Sequence, residues 1–592
     1  MSGDDGKNPL LYLFGKTWKY SEGNRWSVVT YLLMFTLSEC VDTFWIPIVL
    51  SNMMNVIVGD GITPESIKKL FLLLLLFPVG TILSWSLHGP ARLLEEANAF
   101  MARANYKKFL LQGVMNMPLE WHTDHHSGDT IDRIEKGTSS LYEFSSVTFN
   151  FIRPMVKLIG CFGAVVYFSN LSAVIVIGTL LLGAWITVKI DTICAPQIRE
   201  LSRQENRISE SIFDSVSNIS TVIILRVEKL VFDSIIHKVM EPFALFKRNN
   251  YLNEWKWSLT ALCCSVMTVM VLSLYFYEQM NSGEKIAVGS VYLMISYLER
   301  ISGIFYDFTG LYGWTIRRKF RLMNGDELTK DFKQTTFTNH VLPTGWKKLQ
   351  IRNLNFSYGT SDDAGLNLDD VSMDILHGER IAFVGLTGSG KTTLLKIIRD
   401  LYPPKSGKLL VDGVEVVDGF EGISRAISLV PQDPELMAST ILHNITMGAE
   451  HDIEVVHRFT DMACFTSVIA DLPKGLQSSI KEKGVNLSGG QAQRLALARG
   501  LLASYDKDIV LLDEPTSSLD FATEMEVYGN IFRGLAGSTI ISSIHRLHLL
   551  PMFDRIYMFE KGRIVGSGTL HELIRSCPQF ADLWKKQNEL GM

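Results

Sequence analysis

Apolar positions crowd into one half of the chain. Residues from about 26 to 320 hold every long apolar run, and the rest reads as a soluble pattern. A bilayer core of about 30 Å takes about 20 helical residues. Six segments meet that length, roughly 26–57, 67–91, 148–168, 171–192, 255–278 and 286–316, with FLLLLLFPVG and SVMTVMVLSLYFY the plainest. Only SNLS at 169–172 separates the third from the fourth, which predicts a tight hairpin. Two stretches between spans, 92–147 and 193–254, keep a helical apolar period with many charges, so helices are expected to run on past the membrane.

Lys and Arg orient the spans. They gather in the leader (Lys7, Lys16, Lys19, Arg25), in both long stretches, and after the sixth segment (Arg317, Arg318, Lys319, Arg321). The loop near 58–66 has none. Both termini and both long loops are therefore expected on the cytosolic side. The leader MSGDDGKNPLLYLF opens with acids and has a very short apolar run, so no cleavable signal peptide is expected. The polar stretch 323–345 reads as a linker.

Composition changes little in this picture. The hydrophobic fraction of 47% beside 20% charged residues fits a membrane part joined to a soluble part. A net charge of -5 gives a nucleic-acid partner no electrostatic support. The seven cysteines form no CxxC pair and read as buried thiols.

The soluble half carries chemistry. GLTGSGKTT, Gly385 to Thr393, follows the apolar strand RIAFVG and opens the helix TTLLKIIRDLY. This is the context of a phosphate-binding loop. Gly385, Gly388 and Gly390 let backbone N–H groups of the loop, including those of Thr387, Ser389 and Thr393, close on phosphates at a helix N-terminus. Lys391 is expected to reach the β- and γ-phosphates of ATP, and Thr392 to bind Mg²⁺. DIVLLDEP at 508–515 is a buried strand ending in two acids. Asp513 suits a magnesium-orienting carboxylate and Glu514 a general base for water.

NLSGGQAQRLALARG, shortly before LLDEP, resembles the signature motif of the ABC ATPases. The resemblance implies further roles. Tyr358 would stack on adenine. Gln432 would sense Mg²⁺, the water and the membrane domain. Glu482 would touch the transmembrane helices, Asp520 would be the acid of the D-loop, and His545 would be the switch histidine. Ser488, Gly489, Gly490 and Gln491 would face ATP held by a second nucleotide domain, so the chain needs a partner. With Glu514 and His545 intact, the simplest partner is a second copy; a related half-transporter is the other. Gly500 after ALAR, where alanine is usual, and Phe521 after the D-loop depart from the pattern without removing a catalytic group.

Six spans before one ABC domain resemble a half-size ABC exporter of the lipid A flippase and multidrug type. MPLEWHTDHHSGDTIDRI at 117–134 and DSVSNISTVIILRVEK at 214–229 resemble its two intracellular coupling loops. The resemblance implies an all-α transmembrane domain of six long helices, of exporter type, at 26–322. An α/β P-loop NTPase domain of the ABC type follows at 346–592, after a leader at 1–25 and the linker at 323–345. It implies ATP-driven movement of an amphipathic molecule, lipid or peptide through the bilayer. An iron-chelate importer on the same fold and an ATP-gated channel are the alternatives. The short leader points to a bacterial cytoplasmic membrane.

Two side-chain groups stand apart. His122, Asp124, His125 and His126 fit no tight metal template and read as a solvated loop. Asp42, Arg153, Lys157 and Glu299 lie about 18–24 Å deep in the spans at 1.5 Å per residue, with Glu39 and Arg300 close by. They either pair and hold the bundle together or line a polar cavity for substrate.

Overall fold

The computed structural model describes residues 8–61, 63–282, 288–332, 342–358, 367–433, 435–480 and 487–589. The chain forms two compact units, Met1–Met117 with Trp121–Gln334, and Pro118–Glu120 with Thr335–Met592.

The first unit is helical. Its elements are α1 (Pro9–Tyr20), α2 (Arg25–Asp60), α3 (Pro64–Met115), α4 (Leu119–Asp124, which crosses into the second unit's residues), α5 (Ser127–Ser145), α6 (Phe149–Phe168), α7 (Asn170–Ser217), α8 (Ile219–Ile224), α9 (Glu228–Met240), α10 (Phe243–Ser282) and α11 (Val288–Glu327). Helix α3 has 52 residues and α7 has 48, which at 1.5 Å per residue is about 78 and 72 Å. Both far outlast a bilayer core. Ser169 alone separates α6 from α7. Its hydroxyl accepts the Ser172 N–H at 3.2 Å, so the SNLS hairpin carries its own helix cap.

Among the described residues, five helical stretches are long and apolar enough to cross a membrane: Arg25–Gly59, Pro64–Met115, Ser127–Tyr167, Asn170–Ser217 and Glu228–Asn281. The expected sixth span falls on α11, a 40-residue helix outside that set. Glu299, Arg300 and Asp307 interrupt its apolar run. Five of the six expected spans thus stand out by apolarity alone, and α11 is a long helix at the position of the sixth. It also continues to Glu327, through residues that the polar composition assigned to the linker.

Charges buried in this unit meet partners. Lys256 of α10 lies 2.8 Å from Asp191 of α7, with the two side chains 2% and 5% exposed. Glu95 of α3, fully buried, accepts the Phe149 N–H at 3.0 Å and the Thr148 hydroxyl, and pairs with Arg92. It thereby satisfies donors at the start of α6, where the chain breaks between α5 and α6. Asp326 receives the Lys16 ammonium at 2.7 Å and the Tyr106 hydroxyl at 3.0 Å, which ties α1 to α3 and α11.

The second unit has ten strands among its described residues: β1 (Lys348–Phe356), β2 (Leu368–Leu376), β3 (Arg380–Gly385), β4 (Ser406–Val411), β5 (Val414–Glu415), β6 (Ile427–Val430), β7 (Ile509–Asp513), β8 (Thr539–Ser543), β9 (Arg555–Glu560) and β10 (Arg563–Gly568). One antiparallel sheet runs β2-β1-β4-β5; the other runs β10-β9-β3-β8-β7-β6 and is parallel from β9 to β6. The helices are α12 (Lys391–Ile398), α13 (Ile441–Thr446), α14 (Ile453–Met462), α15 (Thr466–Asp471), α16 (Gly489–Leu502), α17 (Phe521–Gly534), α18 (Leu570–Ser576) and α19 (Pro578–Glu589). Every residue of β7 is buried, as its unbroken apolar run requires. In register, Asp513 at the end of β7 stands beside Ser543 at the end of β8. Ligands of open parallel sheets bind at these carboxyl ends.

Candidate functional site

The loop between β3 and α12 turns on two glycines that nothing else replaces cheaply. Gly385 has φ +154, and a Cβ there would meet the Phe559 carbonyl oxygen at 2.4 Å. Gly390 has φ +107, and a Cβ would meet Leu368 Cδ2 at 2.8 Å. The loop walls a cavity of about 490 Å³. Thr387, Gly388, Ser389, Gly390, Lys391, Thr392 and Thr393 line it from the loop, and Gln432, Glu514 and His545 line it from β6, β7 and β8. Residues more than 150 positions apart in the sequence therefore share one wall.

Lys391 is buried, and its ammonium donates to the carbonyls of Gly385 (2.8 Å) and Leu386 (3.2 Å). Burial pushes its pKa below the usual lysine value, while Glu514 and Asp513 pull it back up. Ser389 Oγ is buried and has no hydrogen-bond partner among the described residues. A buried hydroxyl without a partner, beside a buried ammonium at a helix N-terminus, fits a phosphate group.

Asp513 Oδ1 accepts from Thr392 Oγ1 at 3.0 Å and from Ser543 Oγ at 2.7 Å. A carboxylate and a hydroxyl this close are a suitable donor set for a hard divalent cation. Glu514 is a non-glycine residue at φ +45. That backbone is uncommon for an L-residue and clusters at functional sites. Its N–H donates to Ser543 Oγ at 3.0 Å, and its carboxylate accepts from Gln432 Nε2 at 3.0 Å. Gln493 Nε2 donates to the Glu514 carbonyl at 3.3 Å. The backbone of Glu514 is thus held by Ser543 and Gln493, and its carboxylate, held by Gln432, faces the cavity.

Other expected residues lie elsewhere. Tyr358 is 44% exposed and backs onto Phe356 and Tyr402; its hydroxyl donates to Thr393 Oγ1 at 3.3 Å. Ser488, Gly489, Gly490 and Gln491 open α16 and do not line the cavity among the described residues. Ser488 Oγ accepts the Gln491 N–H (3.3 Å), and Gln491 Oε1 accepts the Ser488 N–H (2.9 Å), a reciprocal cap. Asp520 caps α17 through Thr523 (3.0 and 2.7 Å), which lowers its pKa. Glu482 lies outside the described residues. Of the histidine-rich loop, His125 stacks on Trp121 at 4.2 Å and His126 lies 3.6 Å from Glu210.

Sequence reasoning missed Asn367, Lys561 and Gly562, which also line the cavity. It also missed Ser543 and Gln493. Gln493 lies within NLSGGQAQRLALARG but carries no assigned role there; the others belong to no motif and reach the site because the start of β2, the end of β8 and the β9–β10 turn lie there. Ser543 lies two residues before His545, so its place at the same strand end is the usable signal.

Comparison with known proteins agrees with both units. The ABC transporter transmembrane region profile matches residues 28–305, and the ABC transporter profile matches 368–517. Heavy metal tolerance factor 1 of Caenorhabditis elegans is 27% identical over 494 residues, 81% of this chain and 60% of that protein. The mitochondrial iron-sulfur clusters transporter ATM1 of Candida glabrata is 27% identical over 522 residues, 84% of this chain and 70% of that one. A solved bacterial Atm1-family ABC exporter with ATP bound has the same fold: TM-score 0.84 at 23% identity, over 95% of this chain and 99% of that one. The chain spans about 60% of the length of the nematode relative. The two profiles together take in more than two thirds of the sequence, in the order membrane region then ATPase, and the chain belongs to the ABC transporter family: a membrane protein with an ATP-binding domain.

Proposed function

We propose that the protein is an ATP-driven transporter of the exporter type. The observation that carries this reading is the division of its ATPase residues. Lys391, Thr392, Gln432, Glu514 and His545 share one cavity, while the signature segment Ser488–Gln491 stands outside it. A segment of that kind completes a site on another nucleotide domain, so half-size transporters dimerise. A second copy of this chain is the partner we propose. Each of its two sites would then have its own Glu514 and the other chain's Ser488 and Gly490.

In this reading Lys391 and the loop N–H groups bind the β- and γ-phosphates. Tyr358 packs on the adenine. Glu514, fixed by Gln432 and Ser543, takes a proton from the attacking water, and His545 orients that water. Mg²⁺, held by Thr392, Asp513 and Gln432, would supply charge neutralisation on the phosphate oxygens. Closure of two nucleotide domains on ATP would turn the transmembrane cavity outward, and hydrolysis would reset it. The Lys and Arg distribution puts the nucleotide domain on the cytosolic side. Export is favoured over import by the solved relative, described as an exporter, and by the nematode relative, named for metal tolerance. For the membrane itself we keep the bacterial cytoplasmic membrane. A fungal relative, by contrast, is named mitochondrial.

The test compares cells carrying wild type or Glu514→Gln by untargeted mass spectrometry of cell interior, medium and each lipid leaflet. A compound that accumulates inside the mutant supports export. One that stays in the medium makes the protein an importer, and no difference anywhere supports the channel alternative.

A further inference from the structure

Glu524 of α17 is a carboxylate only 2% exposed, and it lies outside the nucleotide cavity among the described residues. Both of its oxygens are taken. Oε1 accepts the Thr516 hydroxyl at 2.6 Å, and Oε2 faces Arg546 Nη1 at 3.2 Å and His548 Nε2 at 3.1 Å. Asp520 already caps α17 through Thr523, so the helix start does not call for this second acid. Burying a carboxylate costs free energy that its partners must offset. What those partners hold is therefore the question.

They stand beside the two residues assigned to the attacking water. Thr516 is the second residue after Glu514, and Arg546 directly follows His545. The Arg546 guanidinium also donates to the carbonyls of Leu519 (2.7 Å) and Ser517 (3.2 Å). One guanidinium thus ties the loop after β8 to the loop after β7, and Glu524 grips both loops, one with each oxygen. Gln493 of α16 holds the β7 loop as well, accepting the Ser518 N–H at 2.8 Å, but makes no hydrogen bond to the β8 loop among the described residues. A cavity of about 300 Å³ is lined by Glu514 and His545 together with Thr516, Glu524 and Arg546. Packing does not fill the space between the two loops, so beyond the strand ends hydrogen bonds carry their spacing.

We propose that Glu524 is a positioning residue for ATP hydrolysis: through Arg546 and Thr516 it holds His545 and Glu514 at the spacing the reaction needs, without touching the nucleotide. The proposal rests on the ATPase reading for the roles of those two residues. Misplacing a reacting group by about 1 Å can cost about a hundredfold in rate while binding is kept. Loss of Glu524 should therefore appear in kcat and not in ATP affinity. The Arg546 side chain is 40% exposed, so water can solvate it when its partner is removed.

The experiment measures phosphate release and equilibrium ATP binding on the full-length protein in maltoside micelles. Glu524→Gln keeps an acceptor for Thr516 and removes the charge that holds Arg546. Its kcat should fall about thirtyfold, with ATP affinity within about twofold of wild type. Arg546→Gln should behave alike. The double variant should be no slower than the slower single one, because both changes cut the same link. Wild-type kcat in Glu524→Gln overturns the proposal. A double variant whose loss is the product of the two single losses also overturns it, as does a fall in ATP affinity as large as the fall in kcat. Should Glu524→Gln not fold, Thr516→Val decides: a drop in kcat of about fivefold is expected, and unchanged turnover sinks the idea. Glu514→Gln, measured alongside, separates this proposal from the reading beneath it. Hydrolysis at the wild-type rate in that variant removes the role given to Glu514 and the proposal with it. An inactive Glu514→Gln beside an unimpaired Glu524→Gln counts against the positioning role alone.

Discussion

Lys256 and Lys391 are both almost inaccessible, at 2% and 5% exposure, yet they are satisfied in opposite ways. In the membrane unit the Lys256 ammonium sits 2.8 Å from the Asp191 carboxylate. In the nucleotide unit the Lys391 ammonium meets backbone carbonyls and no carboxylate within ion-pair distance among the described residues. The same contrast holds for acids. Glu95 and Glu39 have cationic partners, while Glu514 is held by amides and a hydroxyl with its carboxylate turned to a cavity. A buried charge matched by the protein keeps helices together. A buried charge left for something else to match is a site.

The contrast can be broken most decisively at Glu514. Glu514→Gln keeps the hydrogen bond to Gln432 and removes the base, so turnover should fall about a thousandfold with ATP binding retained. Phosphate release and equilibrium ATP binding measure the two. Turnover near wild type would mean that this carboxylate is no more catalytic than those in the membrane unit.

Next in size is Lys256→Met, which leaves Asp191 buried without its partner. The expected loss is about 3 kcal/mol, read as thermal unfolding of the full-length protein in detergent. Adding Asp191→Asn should restore most of it. A single variant as stable as wild type would show that the pair is not structural.

Ser543→Ala sharpens the picture inside the nucleotide unit. It removes a donor to Asp513 and the acceptor for the Glu514 N–H, at a cost of about 1.5 kcal/mol. Hydrolysis should drop more than stability predicts, since both acids lose their anchor. Equal loss of the two would make Ser543 a packing residue.

The smallest effect is expected at Asp400, a half-buried acid that joins no ion pair among the described residues and does not line the nucleotide cavity. Burial first, then the Glu421 charge, raises its pKa to about 6. The fold favours its neutral form, so the stability it contributes is present below about pH 4 and is lost as pH rises to about 6. Asp400→Asn should therefore raise the melting temperature at pH 7.5 and match wild type near pH 4. Partial exposure keeps the gain below about 1 kcal/mol. Asparagine also tolerates the φ of +64 found there. A gain that does not change with pH would put the effect elsewhere.

The sequence alone determined the elements whose signals are local. Apolar runs marked all six spans, because the bilayer selects for apolar length. GLTGSGKTT, LLDEP and LSGGQ marked the phosphate loop, the acids and the signature helix, because each is a short contiguous segment at a strand end or a helix start with its chemistry inside it. Only the tertiary structure decided what distant residues do to one another. It packed α11 against α2, α5 and α6 despite Glu299, Arg300 and Asp307. It set Lys256 against Asp191 across 65 positions, and it brought Ser543, Gln493 and Lys561 to the nucleotide site. It also separated Glu39 from Asp42, which share one helix and one sign. Pairing is a property of three-dimensional distance, and a period of 3.6 residues says which side a charge is on but not what waits there.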